Sequence, residues 1–157
     1  MLSRQTPCAD LGGADWDGTR AHRQLELERK YKFRCTCPAC GLSGDALTRS
    51  EARRRRMIEL HRETMHNAPP DITACVAELC DLAEAEGLPE IWQRAAVIAA
   101  MRHAKEVGDA AAAVQWAKRG ARIARLALGD DAPTTVKFDM VVKAWTTAVA
   151  MGTPLPG

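Results

Sequence analysis

Aromatic residues are scarce in this chain: one tyrosine, two phenylalanines and four tryptophans among 157 residues. A core has to draw instead on Ala, Leu, Val, Ile and Met, with close approach of small side chains replacing large ring faces. Asparagine is scarcer still, with Asn67 standing alone. No stretch approaches the ~18 uninterrupted apolar residues of a membrane-spanning helix, and no membrane is expected as a partner. The opening MLSRQTPCADLGG has no apolar h-region, so no secretory leader is read there. Charge of one sign is also missing. The 22 Lys+Arg and 20 Asp+Glu leave a formal +2, which is no footing for general polyanion binding, and nucleic acid is not an expected partner. The balance is uneven: residues 1–66 hold 13 basic and 9 acidic side chains, residues 67–157 hold 9 and 11. No Ser-His-Asp set, phosphate-cradling glycine loop or paired-carboxylate arrangement stands out, and the four histidines are scattered.

What is present is organised along the chain. Residues 1–18 show no sustained period and read as irregular. TRAHRQLELERKY, from Thr19, reads as a short charged helix. YKFRCTCPAC follows, with Pro38 inside it and Gly41 and Gly44 after it, and residues 19–47 thus combine a helix with a cysteine-bearing loop. A connecting helix spans 48–68. TRSE at its head has the capping-box form, with Thr48 expected to bond the Glu51 amide and Glu51 to reach back. NAPPD stops it, because Pro69 and Pro70 cannot continue a helical ladder, and Asp71 is a suitable N-cap for the next helix.

Residues 69–152 are the most regular part, before a tail at 153–157. Gly87, Gly108 and Gly129 lie 21 residues apart. Each closes an Ala- and Leu-rich run and precedes a helix starter, which is the usual stop-and-start chemistry of helices. Four helices are expected, near 72–86, 89–107, 110–128 and 133–151, and turns this short force antiparallel packing. Val114, Ala117, Ala121, Ala124 and Leu128 form the expected buried stripe of the third. Trp92, Trp116 and Trp145 read as packing wedges, or alternatively as the lining of a partner-peptide groove. Arg53 to Arg56 point around most of a helix circumference and read as a solvated flank paired with Glu51 and Glu59, not as a nucleic-acid patch.

Cys35, Cys37 and Cys40 fall within six positions. With no secretory leader, the six cysteines read as intracellular thiols, and three of them clustered in this way read as metal ligands. A closed zinc site needs four. Cys8 is the nearest spare thiol, with His22 and His61 as weaker candidates. Cys75 and Cys80, in an apolar helix, read as core residues.

RAHRQLELERKYKFRCTCPACGL, followed by a Ser-Glu-Ala-Arg-Arg helix, resembles the post-SET segment of SET-and-MYND-type protein-lysine methyltransferases, and fungal SET-domain proteins most of all. AAAVQWAKRGARIARLALGDDAPTT resembles the longer type of tetratricopeptide repeat, roughly 42 residues, or two steps of 21. The first resemblance covers about residues 20–66, and the second extends over 72–151 by architecture. Together they imply an all-α fold, an antiparallel tetratricopeptide-like array preceded by a small zinc knuckle. They also imply zinc on Cys35, Cys37 and Cys40, with the fourth ligand supplied by a cysteine of the SET core. Phe33 matches the aromatic that packs on the adenine of S-adenosylmethionine. The Asn-His-Ser-Cys motif of that core and the family's catalytic tyrosine are absent from the 157 residues, Tyr31 being the sole tyrosine. The expectation is the C-terminal segment of a SET-type methyltransferase, inactive as this chain alone and located in cytoplasm or nucleus with a protein as substrate or partner. The alternative is a non-catalytic tetratricopeptide-like interaction module.

Overall fold

The described residues of the computed structural model are 19–67, 69–88 and 93–156. Among them the chain forms seven α-helices and no strand. The helices are α1 (Arg20–Tyr31), α2 (Pro38–Gly41), α3 (Gly44–Arg62), α4 (Ile72–Ala85), α5 (Arg94–Glu106), α6 (Ala110–Leu128) and α7 (Pro133–Ala150), with a π-helical turn Glu63–Asn67 after α3. The all-α class is as expected. The expected irregular segment 1–18 and the start of the 89–107 helix lie outside the described residues.

The chain divides into two compact units. One is Met1–Glu59 with Asp81–Leu88, and the other is Leu60–Cys80 with Pro89–Gly157. The sequence-based boundary at 68/69 does not coincide with this division, because residues 81–88 belong with the cysteine-bearing unit.

In the first unit, Thr19 caps α1 by accepting the His22 amide at 3.2 Å. Lys32 ends that helix in the left-handed conformation, φ 59°, a conformation uncommon for a residue with a side chain. The turn sends the chain into the segment that bears the cysteines. α3 begins four residues earlier than its capping-box motif implies. The Thr48 hydroxyl donates to the Gly44 carbonyl at 3.3 Å inside the helix, and Glu51 accepts the Arg20 amide at 3.0 Å. The expected Thr48–Glu51 capping box has no place here, because α3 begins at Gly44 and Thr48 already lies inside the helix.

The arginine run also differs from expectation. Arg54 is buried, and Glu86, its side chain 3% exposed, receives both Arg53 and Arg54. Arg54 Nε donates to one carboxylate oxygen at 2.7 Å, the Ser50 hydroxyl donates to the same oxygen at 2.7 Å, and Arg53 Nε donates to the other at 2.8 Å. Arg56 takes its expected neighbour, Glu59, at 3.6 Å. A glutamate more than thirty residues away turns half of a presumed solvated flank into a buried ion cluster.

In the second unit, the Asp71 carboxylate accepts the Ala74 amide at 2.9 Å and opens α4 as expected. α5 packs on α6 and α6 on α7, joined by the short turns at 107–109 and 129–132 that make neighbours antiparallel. Gly108 and Gly129 take positive φ there, 80° and 92°. The core is built from small residues as the composition requires: Ala104, Ala113, Val114 and Ala117 cluster with Trp145, and Met101, Trp116 and Leu155 pack against them. Ala121 and Ala124 are buried as expected, but Leu128 is 47% exposed, and Ile123 takes a fully buried place instead. The tail is fastened down. The Pro156 carbonyl accepts Trp145 Nε1 at 3.2 Å and Lys105 Nζ at 2.7 Å. Trp145 and half-buried Trp116 act as packing wedges, and Trp92 lies outside the described residues. Cys80 is buried and Cys75 half-buried.

Candidate metal centre

The segment after α1 is extended through Cys37, whose backbone at φ −60°, ψ 161° is not helical. Pro38, with its φ preset, then starts the single turn α2. The expected loop therefore contains one helical turn. The Cys40 and Gly41 amides both donate to the Cys37 carbonyl at 2.9 Å, so the backbone folds back within four residues and carries the Cys40 side chain toward the other two. The ligand atoms of Cys35, Cys37 and Cys40 lie within 4.8 Å of one another. Cys37 and Cys40 are buried, and Cys35 is half-buried.

Two further contacts shape the group. The Gln24 side chain on α1 holds the Cys35 peptide from both sides: its Nε2 donates to the Cys35 carbonyl at 2.6 Å, and its Oε1 accepts the Cys35 amide at 2.9 Å. The Cys37 amide donates to Cys35 Sγ at 3.5 Å. Such a bond favours the thiolate, which is the metal-binding form. Arg20 secures the far end of the knuckle, its guanidinium donating to the Leu42 carbonyl at 2.7 Å.

The donor set fits a thiophilic metal ion. A tetrahedral ion bonded to sulfur at about 2.3 Å sets its sulfurs roughly 3.8 Å apart, so three sulfurs within 4.8 Å of one another need only a small contraction to grip one. Thiolates select for zinc, copper(I) or iron–sulfur chemistry over hard oxygen-seeking cations.

No family model, no curated protein and no solved structure matches this chain.

The cysteine cluster is thus described by its own geometry. The three cysteines named from spacing come together, whereas Cys8, proposed as a fourth ligand, lies outside the described residues. His22, His61, Cys75 and Cys80 do not join the group among the described residues. Phe33, two residues before Cys35, is 41% exposed, and Tyr31 is also partly exposed. Gln24 was not singled out as a site residue. Its only signal in the sequence is a position on the helix before the knuckle, and a side-chain amide that grips a peptide eleven residues away has no periodic signature. On the same helix Glu26 lies between Arg29 and Lys30, whose hydrogen bonds lower its carboxyl to about 2. It therefore stays an anion committed to that helix and is not a ligand.

Proposed function

We propose that residues 19–47 hold a zinc ion on Cys35, Cys37 and Cys40, and that the chain is the zinc-braced C-terminal segment of a SET-type protein-lysine methyltransferase. The observation that carries the reading is the gathering of three sulfurs within 4.8 Å inside a Tyr-x-Phe-x-Cys-x-Cys-x2-Cys setting that resembles the post-SET knuckle. Zinc here would be structural: it ties an extended strand of backbone to a one-turn helix that has little apolar area to hold it otherwise. Gln24 orients Cys35, and the Cys37 amide supports the Cys35 thiolate. The exposed Phe33 face is then available to the adenine of S-adenosylmethionine when a SET core supplies the rest of the pocket. By itself the chain offers one wall of that pocket, and positioning in a complete channel supplies ~7–11 kcal/mol of barrier lowering in reactions of this kind.

The metal half of the reading is tested by elemental analysis of the purified chain. One zinc per chain is expected, lost in Cys37→Ser and Cys40→Ser; a metal-free chain that folds identically with or without added zinc would refute it. Gln24→Ala should retain the ligands but weaken zinc about 10–100-fold, read by competition with a coloured chelator. The methyltransferase half is tested by reading the transcript upstream of Met1. An in-frame strand-rich core with an Asn-His-Ser-Cys stretch supports it, and a transcript whose coding region holds none overturns it.

A further inference from the structure

α6 carries four cations, Lys118, Arg119, Arg122 and Arg125, and no acidic residue between Ala110 and Leu128. Arg125 is committed to Asp130 and Asp139. The other three, with Gln115 and Trp116, line a cavity of ≈400 Å³. Lys118 and Arg119 precede Arg122 by four and three residues, spacings at which like charges on a helix repel. Arg119 is the fixed member. It is half-buried, its guanidinium lies over the Trp116 ring at 6.0 Å from the centroid, and a terminal nitrogen donates to Gln93 Oε1 at 2.8 Å. Gln93 is 2% exposed, so the arginine is anchored in the protein interior, by an amide that brings no counter-charge. Arg119 Nε is shielded from solvent and meets no acceptor, and neither Arg119 nor Lys118 enters an ion pair among the described residues. A guanidinium drawn out of water without a carboxylate costs free energy that a bound anion would offset.

We propose that this cavity binds a small nucleotide, its phosphate held by Arg119 and Lys118 and its base lying against the Trp116–Arg119 pair. Charge, size and the aromatic ring select this occupant together. Cations grouped on one helix face without a lining carboxylate suit a doubly charged phosphate, and an arginine held in place by a second side chain meets it already oriented. The volume falls within the ~300–1,000 Å³ of ordinary small-molecule sites, more than a phosphate group fills by itself. Half-buried Trp116 and the guanidinium beside it offer planar faces of the kind on which bases stack. Three cations on one helix are too few for the phosphate tracking by which polynucleotides are bound. The site belongs to the second unit alone and does not depend on the metal reading.

The test is isothermal titration of the full chain with adenosine monophosphate, adenosine and ribose 5-phosphate as separate probes. Saturable binding of the monophosphate that weakens with added salt is expected. Adenosine, which lacks the phosphate, and ribose 5-phosphate, which lacks the base, should each bind about tenfold more weakly or worse. Arg119→Gln should weaken the monophosphate about tenfold while leaving adenosine unchanged, a split that a merely structural role would not produce. Lys118→Glu, at an exposed position, serves as the second variant should Arg119→Gln fail to fold; it should weaken the monophosphate in the same way, with an unchanged circular dichroism melt verifying the fold. No saturable binding of the monophosphate, or equal binding by the wild type and Lys118→Glu, would overturn the proposal. Ribose 5-phosphate binding as tightly as the monophosphate would overturn it too, by reducing the site to an anion hole, as would an oligoadenylate binding more tightly per site than the monophosphate, which would make the occupant a nucleic acid.

Discussion

Replacing Gly120 by alanine would insert a methyl group where the Phe138 ring now lies. An ideal Cβ at Gly120 meets Cε1, Cζ and Cδ1 of that ring at 2.6, 3.0 and 3.2 Å, whereas unstrained carbon pairs sit about 3.5–4.0 Å apart. The ring has to withdraw by roughly 1 Å to restore that spacing. Two opposed effects set the outcome. In the middle of α6, alanine is favoured over glycine by about 1 kcal/mol through backbone entropy. Forcing an added carbon into a packed contact costs about 1–3 kcal/mol. With the middle of that range, Gly120→Ala should destabilise the protein by about 1 kcal/mol net. In a Phe138→Ala background the obstruction is gone, and the same substitution should stabilise by about 1 kcal/mol. The sign reversal corresponds to a coupling near 2 kcal/mol, well above the ~0.5 kcal/mol scatter of independent sites. Urea melts of the four proteins, followed by far-ultraviolet circular dichroism at constant m-value, measure it. A Gly120→Ala variant that gains stability equally in both backgrounds would refute the argument that glycine is required there by the ring.

Gly108→Val should cost about 1–2 kcal/mol through strain alone, since φ is 80° and nothing lies within 4 Å of the added Cβ; thermal melts with a milder Gly108→Asn comparison check this. Glu86→Gln should cost about 3 kcal/mol, because it leaves the buried Arg54 guanidinium without its counter-charge; if urea melts show no loss, the cluster contributes nothing. Asp71 is held below its ordinary 3.8, first by the Thr73 hydroxyl and then by the Ala74 amide. A lowered folded value means that its share of stability is complete above the unfolded value and is lost as pH falls through the folded one. Asp71→Asn should therefore abolish a stability decrement seen only below about pH 4, and identical acid melts of both proteins would count against it.

The local chemistry of helices was legible in the sequence. Thr19, Asp71 and Pro133 start helices where the motifs place them, and Gly108 and Gly129 adopt the positive φ their stop positions imply. Caps and glycine stops act within one turn, so a linear reading captures them. The convergence of Cys35, Cys37 and Cys40 was legible for a related reason: their spacing is short enough that one turn of helix suffices to bring their sulfurs together. What depends on residues far apart was not legible. Thr48 and Glu51 carry a capping-box pattern, yet Glu51 binds the start of α1 and α3 begins earlier. Arg53 and Arg54 read as solvated, yet Glu86 draws them into one buried cluster and ties residues 81–88 to the cysteine-bearing unit. Gln24 clamps Cys35, and Gly120 makes room for Phe138. In each case a charge, an amide or a missing methyl group gains its meaning from a partner brought near by folding, and only the tertiary structure selects that partner, because many residues in the sequence could have satisfied the same donor, acceptor or volume.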